Sequence, residues 1–318
     1  MVKINSVLGP IDTSKLGTTL MHEHTVAAGA SPALTENYPE LFPDNFMDTI
    51  VIPGLTEAKK GGIDTIVDCT TLDLGRNVKL LVEASYRSGV NIIACTGWWY
   101  NIPHRIWDSV PIDLFTELWI RDIQKGMADT EVKAGILKGA SDLMGVTPIE
   151  EKILRSVARA HKQTGVPICV HSCSPLQVGR RQVEILKEEN VDLGRVKIDH
   201  SNDTTNVEYL TWLLEQGCWL GMDRYPGRSP RASTLARNKT LKALIDAGYA
   251  DRLLLSHDGG GGAWIKTVIP VEERRKHNPY GFLYIQKVVF PQLREWGVSE
   301  AVLKSLLVDN PRHFFAGV

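Results

Sequence analysis

Short runs of apolar and β-branched residues alternate along this chain with longer stretches in which apolar residues recur at helical spacing. The short runs are Thr18–His24, Ile63–Cys69, Asn91–Gly97, Ala134–Ala140, Pro167–Ser172, Arg195–His200, Trp219–Asp223 and Arg252–Asp258, eight in all. Between them, helical spacing covers Asn77–Ser88, Pro148–Thr164, Gln177–Glu189, Val207–Gln216 and Thr234–Ala247. Gly61–Gly62, Gly89, Gly165, Gly194, Gly217 and Gly248 stand just ahead of a run, where a helix closes. Strands alternating with helices imply parallel pairing through right-handed crossovers. Eight such units predict an α/β fold, a (β/α)8 TIM barrel, as a single domain over residues 1–318. The alternative is an open doubly wound sheet, which favours a glycine fingerprint after the first strand; here that strand ends in HEH. The spacing also predicts extra C-terminal helices at Gly281–Trp296 and Ser299–Val308, and a longer insert at His104–Thr130.

The first run ends in Leu20-Met-His-Glu-His24. Positions i and i+2 of a strand share a face, so His22 and His24 point the same way with Leu20 beneath them. Paired neutral imidazoles suit a divalent cation, although on a surface strand the same pair means little. The barrel changes that, because catalytic groups collect at the C-terminal ends of its strands. There the other runs carry His171, His200 and Asp258. In AGILKGA, Lys138 shares a face with Ile136 and Ala140 and points into the barrel. A buried amine is costly unless paired or converted. One solution is a salt bridge; another is addition of carbon dioxide to give a carbamate, an anionic bidentate ligand. With four histidines and an aspartate at matching depth, the second solution completes a set for two divalent cations about 3.5–4 Å apart sharing a bridging hydroxide. Asp258 then ligates one cation and takes a proton during attack.

These residues resemble the phosphotriesterase family of the amidohydrolase superfamily, including its phosphotriesterase-like lactonases. The pieces that carry the resemblance are GPID at Gly9–Asp12, LGTTLMHEH at Leu16–His24, ILKGA at Ile136–Ala140, VHS at Val170–Ser172, DHSND at Asp199–Asp203, GMDRY at Gly221–Tyr225, LSHD at Leu255–Asp258 and DNP at Asp309–Pro311. The resemblance implies that His22, His24 and Asp258 hold the more buried metal and that His171 and His200 hold the more exposed one. Lys138, as N6-carboxylysine, bridges both. It further implies two divalent metal ions, zinc first, with cobalt, manganese or iron as alternatives. Trp99 falls where lactonases of this group often carry Tyr and phosphotriesterases Trp, whereas DRY at Asp223–Tyr225 has the lactonase form. Trp99, Arg224, Tyr225 and Trp264 are the expected substrate contacts. The expected activity is opening of lactones, N-acyl homoserine lactones among them, with phosphotriester hydrolysis as a side activity. The alternatives are an organophosphate triesterase and a non-catalytic, metal-stabilised ligand-binding barrel. The group commonly forms homodimers, so a homodimer is expected here.

Composition narrows the setting. Charge is balanced, with 36 Lys and Arg against 37 Asp and Glu, so neither a nucleic acid nor a membrane is an expected partner. The N-terminus MVKINSVLGPID has no apolar signal core, and no apolar run approaches the roughly 20 residues of a membrane span. A cytoplasmic protein is expected. The five cysteines include no CxxC pair and read as buried thiols rather than as a zinc site. Gly259–Gly262 reads as an entrance loop anchored by Trp264, and Arg224, Arg228, Arg231 and Arg237 as a solvated face able to recruit an anion. Alternation turns Glu23 and Asp199 away from the cations, either to support the neighbouring ligands from behind or to face the helices, and sends His257 toward the helices as a structural histidine.

Overall fold

The computed structural model describes residues 2–28, 37–99, 107–227, 231–259, 263–264 and 271–318, with backbone alone at 27–28, 263–264 and 271. Eight parallel strands form its centre: β1 (Thr19–Glu23), β2 (Thr65–Asp68), β3 (Asn91–Gly97), β4 (Ile136–Ser141), β5 (Ile168–Ser172), β6 (Val196–Ile198), β7 (Trp219–Met222) and β8 (Leu253–Leu255). Each pairs with its sequence neighbour, so that Lys138 lies opposite Cys169 and Leu220 opposite Leu253. Helices follow the strands in sequence. Pro148–Thr164 opens with a capping box between Thr147 and Glu150 and closes at Gly165 with φ 71°. Val78–Ser88 opens on the Asn77 side chain and closes at Gly89. The insert carries a helix, Ile112–Gln124, whose Phe115, Trp119 and Ile123 are buried. Trp98 packs edge-on against Trp107 and Phe115 there, at centroid distances of 4.6 and 5.8 Å.

The strands divide the apolar core into two. Ile66, Ile92, Leu137, Val170, Ile198, Leu220 and Leu255 belong to the layer packed against the helices. Met21, Val67, Cys69, Cys95, Ile136, Cys169 and Leu254 belong to the inner cluster. Ile4, Leu16, Phe314 and Phe315 join the inner cluster from an N-terminal hairpin (Lys3–Ser6 paired with Gly9–Asp12), the turn before β1 and a last helix, Asp309–Ala316. Neither the hairpin nor this last helix stands out in the sequence. The hairpin strands have four residues each, and Pro311 masks a helix it tolerates because it sits in the first turn. All five cysteines are buried and unbonded. Among the described residues no helix is long and apolar enough to cross a membrane.

β1 does not alternate strictly. Its register against β2 shifts between Leu20 and Glu23. Leu20 therefore belongs to the outer layer and Met21 to the inner cluster, and His22 faces inward as well. This corrects the expectation that Leu20 lies beneath the histidines: a bulge resets the face in mid-strand.

The barrel closes between β8 and β1. The Asp258 N–H donates to the His22 carbonyl at 3.1 Å. Glu23 Oε1 accepts from Ser256 Oγ (2.6 Å), His257 N (2.9 Å) and His257 Nδ1 (2.7 Å), and Glu23 Oε2 accepts from Gly259 N (3.2 Å). The last helix is latched to the opposite, N-terminal end of β8. Asn310 Nδ2 donates to the carbonyls of Ala250 and Leu253, each at 2.8 Å, and Asn310 is 2% exposed. Asn310→Ala leaves two main-chain acceptors buried without this donor. It is expected to destabilise the protein by about 1–3 kcal/mol, read as a lower denaturation midpoint in urea at unchanged slope.

Candidate metal centre

The C-terminal ends of the strands bring the six expected ligands together. His24 Nε2 and His22 Nε2 stand 3.2 and 3.4 Å from Asp258 Oδ1. The His22 and His200 rings are 4.9 Å apart, and those of His200 and His171 4.4 Å. His200 Nε2 lies 2.8 Å from His171 Nδ1, a contact that needs one proton between two ring nitrogens. Lys138 Nζ is 1% exposed and lies 2.9 Å from Asp199 Oδ2. This is the salt-bridged state of the amine.

Two of the imidazoles, His24 and His200, are hydrogen-bonded through Nδ1 and present Nε2 to the cluster, and the Nδ1 of a third, His22, faces carboxylates without a hydrogen bond. His24 Nδ1 meets Thr70 Oγ1 at 2.8 Å, and Thr70 N donates to Asp68 Oδ1 at 3.0 Å. His200 Nδ1 meets Asp223 Oδ1 at 2.9 Å, and the same oxygen accepts the His200 N–H at 2.8 Å. His22 Nδ1 faces Asp199 Oδ2 at 3.0 Å and Asp223 Oδ2 at 3.2 Å. Such carboxylate–imidazole contacts orient a ring and raise its basicity toward a metal. Asp199 thus faces the site, contrary to the alternation argument. The cause is local: His200 has φ 60°, in the left-handed region, so Asp199 and His200 both turn inward. Asp258 leaves β8 the same way, with φ 58°. Asp199, Asp223, Asp68 and Lys197 escaped the sequence argument. For Asp223 a signal existed, since it alternates with Gly221 and Trp219 toward the interior.

The donors fit divalent cations. The ligand atoms of His22, His24 and Asp258 lie within 4.8 Å of one another, as do those of His22, His200 and Asp223. A set of imidazole nitrogens and carboxylate oxygens suits zinc and its neighbours.

The chain matches the model of the phosphotriesterase family over residues 2–315. It belongs to the phosphotriesterase family. A phosphotriesterase homology protein of Mycobacterium tuberculosis is 39% identical, the match covering 99% of this chain and 98% of that protein. An aryldialkylphosphatase of Saccharolobus solfataricus is 33% identical over 96% of this chain and 97% of its own length. The structure of the phosphotriesterase from Mycobacterium tuberculosis superposes with a TM-score of 0.91 at 37% identity, over 99% of this chain and 98% of that one. As a phosphotriesterase-family protein the chain is a hydrolase, and the family's chemistry is binuclear and metal-dependent.

Around this phosphotriesterase-family centre the expected substrate residues are placed differently from one another. Trp99 borders the cluster: its Nε1–H points at His171 Nδ1 at 3.4 Å, and its main-chain N–H is held by both oxygens of Asp73 at 3.2 Å. Burial raises the Asp73 carboxyl to about 6. Arg224 Nε donates to Asp258 Oδ2 at 2.7 Å, and its Nη1 to Asp203. Tyr225 is 2% exposed and packs in the outer core, away from the position expected of a substrate contact. Trp264 forms a two-residue parallel strand with Ala263 against Ala27–Ala28, and its side chain lies outside the described residues. So do Gly260–Gly262 and Arg228. Of the other arginines, Arg224 and the 1%-exposed Arg237 do not form a solvated face, while Arg231 is exposed as expected. All three converge on Asp203, with Arg231 Nε at 3.3 Å and Arg237 Nη2 at 2.7 Å.

The electrostatics of the cluster follow from these contacts. Burial works against ionised Asp258, but the Arg224 guanidinium and the His200 ring hold its carboxyl well below the usual range. Burial lowers His171 to about 4. Burial and the Lys138 ammonium disfavour charge on His22, yet the carboxylates of Asp199 and Asp223 raise it to about 9. A cation must therefore displace a proton from His22. Uptake is expected to release protons and to tighten as pH rises toward about 9, by up to ~10-fold per pH unit, measured by cation titration of the apo-protein in buffers of different ionisation enthalpy.

Proposed function

We propose that this phosphotriesterase-family hydrolase is a lactonase, with N-acyl homoserine lactones as its substrate class and phosphotriester hydrolysis as a side activity. The observation that carries the reading is Arg224, whose guanidinium stands 2.7 Å from Asp258 Oδ2 at the mouth of the barrel. A planar cation there can orient the oxygens of a ring ester and then the carboxylate that hydrolysis produces. Two divalent cations, zinc foremost, held by His22, His24, Lys138, His171, His200 and Asp258, would polarise the carbonyl and lower the pKa of water. Asp258 accepts the proton of the attacking water, and the proton passes to the alkoxide oxygen as the ring C–O bond breaks, giving a hydroxy acid. Trp99 bounds the acyl side of the ring. A second reading, organophosphate hydrolysis as the main activity, draws on the same Trp99 and on the similarity to an aryldialkylphosphatase.

Lys138 serves this site as N6-carboxylysine. Its amine, once neutral, adds carbon dioxide, forming a C–N bond with loss of one proton, and the product offers two oxygens that share one negative charge.

The decisive measurement is kcat/KM for lactones of varied acyl length beside an aryl phosphotriester. The expected ranking places lactones first, and Arg224→Ala is expected to lower lactone kcat/KM by about 10- to 100-fold, the size of a charge-assisted hydrogen bond. A higher kcat/KM on the triester would reverse the assignment. For Lys138, reconstitution with 13C-bicarbonate and zinc is expected to give a protein-bound carbamate resonance by NMR. Lys138→Met should lack it and should lose tight binding of the second cation.

A further inference from the structure

We propose that Lys197 and Asp199, an ion pair enclosed in the barrel beneath the metal centre, are positioning residues that set the ring of His22 for cation binding. The inference rests on the metal-centre reading above. Both residues are on the inner face of β6 and its extension, and both are 0% exposed. Lys197 Nζ donates to Asp199 Oδ1 and, at 3.0 Å, to the Met21 carbonyl. That carbonyl lies in the bulged stretch of β1, immediately before His22. Asp199 Oδ2 in turn faces His22 Nδ1 at 3.0 Å. One salt bridge therefore holds the main chain that carries His22 and places a carboxylate beside the ring nitrogen that faces away from the site.

The ring orientation follows. Nδ1 faces the carboxylate of Asp199, and Nε2 stands 3.4 Å from Asp258 Oδ1. Asp199 is packed beside a second carboxylate, since Asp223 Oδ2 also faces His22 Nδ1 at 3.2 Å. Two buried carboxylates on one ring need a lasting counter-charge. Lys138 is the other cation present, at 2.9 Å from Asp199, but its amine is the one consumed when it becomes a ligand. Lys197, with Nζ 3.8 Å from Asp223 Oδ2 as well, remains. Space for both carboxylates depends on Gly221: a Cβ at that position would stand 2.5 Å from Asp223 Oδ2 and 2.9 Å from Asp199 Oδ1.

The test replaces both charges at once, so that neither is left buried alone. Apo-protein of wild type and of Lys197→Met/Asp199→Leu is titrated with Co2+, with calorimetry and the visible d–d spectrum as readouts and urea unfolding as the fold control. The expected result is two tight equivalents for wild type. In the variant, one equivalent is weakened by about 10- to 100-fold, with an altered spectrum and a near-native unfolding midpoint. Two equivalents bound by the variant with wild-type affinity and spectrum would overturn the proposal and leave the pair a structural salt bridge. Failure of wild type itself to bind cobalt would instead remove the metal-centre reading, and this proposal with it. If the double variant does not fold, Asp199→Asn keeps the volume and is expected to lose at least about 10-fold in affinity for one equivalent; unchanged affinity there overturns the proposal equally.

Discussion

Closure of the sheet between its last strand and its first is the constraint on which the site depends. Seven of the eight strand junctions are formed by neighbours in sequence, each supported by its own crossover. The remaining one joins residues more than two hundred positions apart, and polar contacts hold it: the Asp258 N–H on the His22 carbonyl, and the Glu23 carboxylate on Ser256, His257 and Gly259. The residues that make this seam are interleaved with the ligands. Glu23 stands between His22 and His24, and His257 precedes Asp258. Closing the barrel and assembling the cluster are thus the same event, which explains why a buried glutamate occupies the middle of the HEH motif.

Above the seam the chemistry depends on departures from regular strand geometry. A uniform β1 would place His22 among the helices. The register shift after Leu20 returns it to the interior, and left-handed residues at His200 and Asp258 do the same at the ends of β6 and β8. The departures at His200 and Asp258 lie past the ends of their strands, where the ladder no longer demands regularity, whereas that of β1 is a bulge within the strand. The interior so formed is charged: Lys138, Lys197, Asp199 and Asp223 are all buried within it, and each lies within ion-pair distance of another of the four. Burying one of these charges alone would cost several kcal/mol, so the group functions as a set. The same logic operates at the mouth, where Asp203 gathers three arginines and thereby fixes the loop that carries Arg224 beside Asp258.

The chain by itself determined its architecture, because apolar periodicity is set by local geometry. The eight runs and the helices Pro148–Thr164 and Val207–Glu215 were legible to within three residues at either end, and the inward face of Lys138 and the grouping of the histidines with Asp258 were legible too. Only the tertiary structure decided what surrounds them. Strict alternation turned Asp199 away and put Leu20 under the histidines, and the run of loop arginines read as a solvated face. These readings failed at a left-handed residue, at a bulge and at a carboxylate shared by distant cations, each of which is fixed by contacts across the barrel. A period of two follows from the backbone of one strand, whereas the partner that satisfies a buried charge is chosen by closure of all eight.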